Sequence, residues 1–233
     1  MRVGVIQSNY IPWRGYFDFI DSVDLFVFHD DLQYTKNDWR NRNRIQTPDG
    51  LRWLTVPVSY KHVEQKIEEV QIDYRQNWAV RHIQQLNANY GRAPFFHDYV
   101  DQFAGIINEH FASISELNVA VCKWMMQVLD IRTPILMSRE LAVSGKKSER
   151  LIDLLTRVGG TTYVSGPSAS AYLDLDLFHR HGIRVEYKSY NYPEYPQMQS
   201  GFSPNVSVLD LLFNTGREAR RYLRSGVPNQ LAA

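Results

Sequence analysis

Three adjacent ionisable residues, His29, Asp30 and Asp31, follow the apolar run Leu25–Phe28. Histidine is suited to proton transfer near neutral pH, and a neighbouring carboxylate can fix the orientation of its ring. Successive side chains of an extended segment point to opposite sides, so one or two of the three can face the same cleft. We predict that His29 or Asp31 acts as a general base and that Asp30 orients or binds the substrate.

A metal site is the alternative use of these three side chains. One histidine with two aspartates, and no second cluster at ligand spacing elsewhere in the sequence, is a weak pattern for zinc or calcium. We therefore predict a site without a metal.

Polar residues also follow the first apolar run, residues 3–6, before Pro12 and Gly15 interrupt the pattern. A strand, a polar turn and a helix start form a natural anion site, because free N–H groups point at the ligand. The sequence has neither GxGxxG nor GxxxxGK[ST], so a standard dinucleotide or P-loop site is disfavoured. The structural alternative is a proline-rich turn with supporting polar groups. The predicted substrate-binding residues here are Gln7, Asn9, Tyr10 and Tyr16.

The segment from residue 33 to residue 44 is polar and basic, with aromatic residues among its cations. Arginine forks can hold a diphosphate while a tryptophan stacks on a flat ring. A solvated loop or an RNA-binding patch is the alternative, although a formal net charge of +1 gives no general attraction to nucleic acid. The predicted substrate-binding residues of this segment are Gln33, Tyr34, Lys36, Trp39, Arg40, Asn41, Arg42 and Arg44.

Two later positions are further candidates. Ser165 follows another short apolar run and can supply a hydroxyl to the same cleft, without the GxSxG frame of a serine hydrolase. Asp210 and Asn214 are one helical turn apart in an otherwise apolar segment. Side chains at that spacing either close a local hydrogen-bond network or line the cleft, and the sequence favours neither.

The scaffold behind these residues is predicted from the alternation of apolar runs with amphipathic segments. This rhythm is typical of an α/β fold with a mostly parallel sheet flanked by helices. The short apolar runs cover residues 3–6, 25–28, 133–137, 161–164 and 183–187. Residues 67–72 are predicted to form a further strand, with weaker alternation, and residues 172–181 to form a helix. The middle of the chain, about residues 77–130, has helical spacing and is predicted to be a helical insertion or subdomain. We expect residues 1–233 to form one domain.

The cellular setting is predicted from two absences in the sequence. The first residues lack the basic and apolar regions of a signal peptide, and no apolar run approaches the ~20 residues of a membrane span. We therefore expect a cytoplasmic protein with no membrane partner.

The opening of the chain resembles the signature of the WbqC-like protein family. That family typically shows Gln-Pro-x-Tyr-x-Pro-x-x-Gly-Tyr, Asp-Asp-Val-Gln-Tyr and Asn-Arg-Asn-Arg blocks. The matching positions are Gln7, Tyr10, Pro12, Gly15, Tyr16, Asp30, Asp31, Gln33, Tyr34, Asn41, Arg42, Asn43 and Arg44. The likeness continues through most of the chain, to residues 195–214. Ser8 departs from the pattern, because the family more often carries proline there.

The resemblance implies a place in the biosynthesis of bacterial O-antigen and other surface polysaccharides, where some members look like enzymes that acylate or aminoacylate amino sugars. We therefore expect a transferase that acts on a nucleotide-linked amino sugar and takes an activated acyl or aminoacyl donor. A non-catalytic protein that binds a nucleotide sugar or a partner enzyme is the first alternative. An RNA-binding protein is the second, and we expect no nucleic-acid partner.

Overall fold

A mostly parallel β-sheet forms the centre of the computed structural model, which describes residues 1–232. The strands are β1 (Arg2–Ile6), β2 (Leu25–Phe28), β3 (Arg42–Thr47), β4 (Gly50–Thr55), β5 (Val58–Ser59), β6 (Gln71–Ile72), β7 (Ile135–Met137), β8 (Thr162–Ser165), β9 (Arg184–Tyr187) and β10 (Gln230–Leu231). Six of them form the central sheet in the order β10-β9-β8-β1-β2-β7. Within it only β9 and β10 pair antiparallel. The predicted α/β fold is confirmed.

Helices cover both faces of this sheet. They are α1 (Arg14–Asp21), α2 (Trp78–Tyr90), α3 (Phe96–Ile107), α4 (Ile114–Val128), α5 (Lys147–Arg157), α6 (Leu175–Arg180) and α7 (Val208–Thr215). On one face, Phe26 and Phe28 of β2 join a core that includes side chains of α1, α4 and α7. On the other face, Val5 and Val27 join a second core with α5 and α6. Strands buried on both faces appear in sequence as continuous apolar runs.

The close packing of α1 on the sheet depends on a glycine in β1. A Cβ atom at Gly4 would overlap the ring of Phe19 on α1. The helix therefore lies close to the strand only because position 4 has no side chain, and this brings the turn between them into a fixed place.

The helical middle of the chain was predicted well. Helices α2, α3 and α4 occupy residues 78–128, inside the predicted segment of about 77–130. They share one apolar core with β2, in which Phe103 and Met125 belong to the same cluster as Phe26. Their long amphipathic pattern made them visible in the sequence, since the period of the apolar residues is repeated over several turns.

Three local predictions were wrong. Residues 67–72 were expected to be one strand, but Ile67–Glu69 forms a 3-10 turn that precedes the two-residue β6. The carboxylate of Glu69 accepts a hydrogen bond from the backbone N–H of Lys66 (3.0 Å), which favours the turn. Residues 172–181 were expected to be one helix, but α6 starts only after Asp174, whose side chain caps it through Leu177 N–H (3.0 Å).

The third error is the missed strand β3. It carries charged and amide side chains, and the sequence predicted no strand there and offered a solvated loop as one alternative, but it pairs antiparallel with β4 along its whole length. In this two-stranded hairpin, long polar side chains can lie on an open face, so polarity does not exclude a strand. The hairpin carries Arg42 and Arg44 of the predicted binding segment.

Candidate functional site

The order of the parallel strands reverses at β1, which indicates a site at the carboxyl end of that strand. The chain passes from β1 to β2 and β7 on one side, and then crosses to β8 and β9 on the other side. Such a reversal leaves a crevice outside the ends of the two neighbouring strands. A cavity of about 500 Å³ lies there, and its lining includes Gln7, His29, Lys147, Arg150 and Tyr172. We call it the switch-point cavity.

His29 and Arg150 of α5 lie on one wall of this cavity, and Asp31 contacts both. Nε of Arg150 donates a hydrogen bond to Nε2 of His29 over 3.3 Å, and Oδ1 of Asp31 lies 3.6 Å from the same ring nitrogen. Arg150 also donates to the carboxylate of Asp31 and to the carbonyl of Val143 (2.9 Å). Ser138, which follows β7, donates its hydroxyl to Asp31. The ends of β2 and β7 thus converge with the start of α5.

His29 is a neutral imidazole in this arrangement. The pKa of His29 is lowered to about 4, mainly by burial; the charge of Asp31 opposes this lowering and the charge of Arg150 adds to it. A guanidinium can only donate, so the hydrogen bond from Arg150 places the ring proton on Nδ1 and leaves Nε2 as the acceptor. The lone pair that a general base needs is therefore present but covered by Arg150.

Asp30 points into the protein, away from the wall that His29 and Asp31 form. It has no exposed surface, and its carboxylate accepts hydrogen bonds from Ser8 N–H (2.7 Å) and from the hydroxyl of Ser115 (2.5 Å). These bonds hold the turn after β1 against α4. Asp30 thus supports the site through that turn, and its carboxylate does not face a ligand.

A second cavity of about 560 Å³ lies on the other side of Arg150 and shares Leu32, Lys147 and Arg150 with the first. We call it the basic cavity. Further cations at its wall are Lys66, Arg139 and Lys146. Its acidic side chains include Glu68, which lies within 3.8 Å of both Lys66 and Arg139. Cations outnumber acids here, so an anionic ligand is favoured.

Lys147 lies at the junction of the two cavities in a strained backbone conformation. It is the first residue of α5 and has a φ of 50°, in the left-handed region that residues with a side chain rarely adopt. Such strain is concentrated at functional sites, where the surrounding structure holds it in place. The strain supports the view that this junction is part of the site.

Gln7 and Asn9 are connected by one guanidinium. Arg40 donates to Oε1 of Gln7 (3.2 Å), to the carbonyl of Ser8 (3.4 Å) and to the side chain of Asn9. It also lies 3.7 Å from Asp38. Arg40 therefore stiffens the segment after β1, and few of its donors remain for a phosphate.

The rest of the predicted basic segment separates into supporting amides and an exposed aromatic surface. Asn41 donates a hydrogen bond to the carbonyl of Val56 (2.8 Å). Its side-chain amide therefore stabilises the hairpin and is not directed at a ligand. Trp39 and Trp53 are both exposed, with ring centroids 5.3 Å apart. Arg42 and Arg44 stack on these rings at 4.3 Å to 5.4 Å. Lys36 lies separately over the ring of Tyr60 at 4.7 Å.

Five predicted binding residues are buried in the protein. The hydroxyl of Tyr10 forms a hydrogen bond with Nδ1 of His82 (2.9 Å), and the hydroxyl of Tyr16 donates one to the carbonyl of Gln7 (3.0 Å). Tyr34 packs against Tyr60, with 5.9 Å between the ring centroids. Asp210 accepts hydrogen bonds from four side chains, Tyr90, Tyr195, Gln197 and Asn214, which is the local network that the sequence left as one of two possibilities. The five, with exposed fractions of 5% or less, are Tyr10, Tyr16, Tyr34, Ser165 and Asp210. These side chains support the cleft and have little surface to offer a ligand.

The structure thus brings Gln7 and His29 to the switch-point cavity, and Asp31 and Gln33 to the basic cavity. Sequence reasoning missed Ser138, Lys147 and Arg150. Ser138 follows an apolar strand run, so the rule that found His29 also applies to it. The two cations lie at the start of a helix with no strand directly before them, and only the fold brings them to the site.

The family model of the WbqC-like protein family matches residues 7–222. The chain belongs to this family. The WbqC-like chain is also 46% identical, over 226 residues, to a Mycobacterium tuberculosis (strain ATCC 25618 / H37Rv) protein named "Uncharacterized protein Rv1507c". That alignment covers 96% of this chain and 97% of the relative. No solved structure matches the chain.

Among residues 1–232, no group of three or more His, Cys, Asp or Glu side chains is arranged to hold a metal ion. Within the same described range, no helix has both the length and the apolar character needed to cross a membrane.

Proposed function

We propose that this protein is a cytoplasmic transferase of surface-polysaccharide biosynthesis that acylates or aminoacylates an amino sugar linked to a nucleotide. The switch-point cavity carries the proposal, because an imidazole and two cations line it and the carboxylate of Asp31 contacts both His29 and Arg150. The cations suit the phosphates of a nucleotide sugar, and the imidazole suits proton transfer from an amine. The polysaccharide setting comes from the family resemblance.

The reaction forms a C–N bond between the sugar amine and the carbonyl carbon of the activated donor. The bond from that carbon to the activating group breaks, and the amine loses one proton. In our proposal Nε2 of His29 takes this proton and returns it to the leaving group. The nearby Oδ1 of Asp31, 3.6 Å from Nε2, stabilises the imidazolium that forms.

Substrate binding activates this base through Arg150. In the structure an Arg150 N–H covers Nε2 of His29. A phosphate bound beside Lys147 attracts Arg150, which frees Nε2. The phosphate also neutralises the charge of Arg150, which adds to the lowering of the His29 pKa by burial, so the imidazole becomes a stronger base when substrate is present. The active site is thus assembled only around an anionic substrate.

The test is a search for amide formation by mass spectrometry, with UDP- and dTDP-linked amino sugars as acceptors and acyl thioesters or aminoacyl adenylates as donors. With a productive pair, His29→Ala and Asp31→Asn are expected to lower turnover by about 100-fold or more, as for loss of a general base. His179→Ala is the matched control, because His179 is exposed. Unchanged turnover in a folded His29→Ala variant rejects the assigned base.

A non-catalytic nucleotide-sugar binding protein is the second candidate function. It is favoured by the closed network of the site, in which Arg150 donates to His29, Asp31 and Val143 at once. Thermal shift separates the two candidates. A nucleotide sugar at ~100 times its dissociation constant stabilises the fold by about 2.7 kcal/mol. Such stabilisation without turnover for any donor supports the binding protein.

A further inference from the structure

A small groove lies beside the switch-point cavity, between the segment after β1 and the β3–β4 hairpin. It has a volume of about 200 Å³, and its lining includes Asn9, Trp13, Trp39, Arg44 and Asn205. We call it the Trp39 groove. At about 30 Å³ per water, this space equals roughly seven water molecules, which is the size of one ring system with a substituent.

Arg44 presents an unused guanidinium at this groove. Among residues 1–232 the guanidinium makes no hydrogen bond or ion pair, and its buried Nε has no partner. It stacks on Trp39 and Trp53, at 5.4 Å to each ring centroid, and this packing fixes its plane. A buried donor without a partner is costly, and a planar guanidinium binds phosphate through parallel hydrogen bonds. The groove therefore favours an anion.

Trp39 supplies an aromatic surface at the same groove. Its side chain is 39% exposed, although an indole is normally among the more buried groups. Trp13 forms another wall and is held by edge contacts to Tyr190 (5.2 Å) and Tyr192 (5.8 Å). Stacking on an aromatic side chain stabilises a bound base by about 1–3 kcal/mol. A ring that carries an anionic group thus fits the groove better than a simple ion.

The groove and the switch-point cavity are adjacent. Gln7 lines the cavity and Asn9 lines the groove, and Arg40 donates hydrogen bonds to both side chains. Two residues of extended chain span at most about 7 Å. One extended ligand can therefore occupy both sites by passing over this short segment.

We infer that the Trp39 groove binds the nucleoside phosphate part of the substrate. The base stacks on Trp39, the phosphate next to the nucleoside accepts hydrogen bonds from Arg44, and the second phosphate and the sugar extend into the switch-point cavity toward Lys147. The place of the sugar rests on the proposed function, whereas the ligand chemistry of the groove does not. The groove then determines which nucleotide sugars are accepted, and the cavity determines the reaction.

Binding is tested by isothermal titration of the purified full chain with UDP, dTDP, CDP, GDP and pyrophosphate. At least one nucleoside diphosphate is expected to bind about tenfold or more tightly than pyrophosphate, since stacking adds more than ~1.4 kcal/mol. Arg44→Gln and Trp39→Leu are each expected to weaken that binding about tenfold. Arg52→Gln is the matched control, because Arg52 lies on the same hairpin outside the groove lining.

Equal binding by Arg44→Gln and Arg52→Gln overturns the inference, as does a wild-type protein that prefers pyrophosphate. If Arg44→Gln fails to fold, Arg44→Lys replaces it, because lysine keeps the charge but lacks the planar guanidinium. Nucleotide binding by Arg44→Lys as tight as that of the wild type also overturns the inference. Tighter binding of a uridine oligoribonucleotide than of every nucleoside diphosphate also overturns it, in favour of RNA.

The outcome of the nucleotide-binding titrations is independent of the outcome of the transferase test. Nucleoside diphosphate binding that depends on Arg44, without turnover, supports the groove and rejects the transferase. Turnover that is lost in His29→Ala, with nucleotide binding unaffected by Arg44→Gln and Trp39→Leu, supports the transferase and rejects the groove. His29→Ala itself is expected to leave the affinity for the nucleoside diphosphate within about twofold, because His29 does not line the groove.

Discussion

Arg150 covers the one nitrogen of His29 that can accept a proton. Its Nε–H points at Nε2 of the imidazole over 3.3 Å, while its other nitrogens hold Asp31 and the carbonyl of Val143. Arg150 of α5 and His29 after β2 therefore form a closed contact at the switch-point cavity, and we call this contact the latch. Whatever draws Arg150 away changes both the availability and the pKa of His29.

Replacement of this arginine tests the latch directly. In Arg150→Gln the pKa of His29 is expected to rise from about 4, because the lowering charge of Arg150 is lost and the raising charge of Asp31 remains. An NMR titration of the histidine ring protons measures the change. Arg157→Gln is the control, since Arg157 lies on the same helix and pairs with Asp153 (3.0 Å) instead. An unchanged His29 titration in Arg150→Gln contradicts the latch.

Asp30 is expected to matter for stability and not for chemistry. Asp30→Ala leaves the N–H of Ser8 and the hydroxyl of Ser115 buried without their acceptor. Loss of a buried charged acceptor costs about 3 kcal/mol, so urea unfolding should show a decrease of that size in the free energy of unfolding. Ser115→Ala keeps the bond to Ser8 and should cost about 1 kcal/mol. Equal costs for the two variants would mean that Asp30 does not hold the turn.

The location of the site was predictable because strand ends are visible in sequence. Apolar runs that end at Gln7 and His29 mark the carboxyl edge of a parallel sheet, and both side chains line the switch-point cavity. Position along the chain was therefore enough to place these two residues at one edge.

The composition of the site was less predictable, because contacts between distant segments are not encoded in local patterns. Asp30 and Asp31 are neighbours with the same chemistry, yet one binds Ser115 of α4 and the other binds Arg150 of α5. The sequence predicted that these two side chains point to opposite sides of the chain. Which of them faces a cavity depends on how the chain turns after β2. Arg44 and Trp53 likewise meet only because β3 pairs with β4 in one register.

Two buried histidines make the fold sensitive to acid. Burial lowers the pKa of His82 to about 4, as it does for His29. The unfolded chain takes up these protons near pH 6.5 and the folded chain only near pH 4, so stability falls as the pH decreases through this window. For His82 the loss amounts to about 3 kcal/mol below pH 4.

The measurement is the free energy of unfolding at pH 7, 5.5 and 4 for the wild type and for His82→Gln. Glutamine does not titrate, so the variant should lose less stability on acidification, even if it is less stable at pH 7 because the bond to Tyr10 is altered. His179→Gln, at an exposed position, should follow the wild-type curve. Parallel curves for His82→Gln and the wild type would show that His82 does not contribute.

Asp210 is expected to stabilise the carboxyl-terminal part of the fold through its buried hydrogen bonds. Its carboxylate accepts hydrogen bonds from the hydroxyls of Tyr90 (2.7 Å) and Tyr195 (2.8 Å) and from Nε2 of Gln197 (2.8 Å). These bonds connect α7 to α2 and to the loop after β9. In Asp210→Ala the buried hydroxyls of Tyr90 and Tyr195 lose their charged acceptor, so unfolding in urea should show a loss of about 3–5 kcal/mol. Asp176→Ala, at an exposed position of α6, should cost less than about 0.5 kcal/mol. A loss for Asp210→Ala as small as that of Asp176→Ala would contradict the network and favour a role of Asp210 at a ligand.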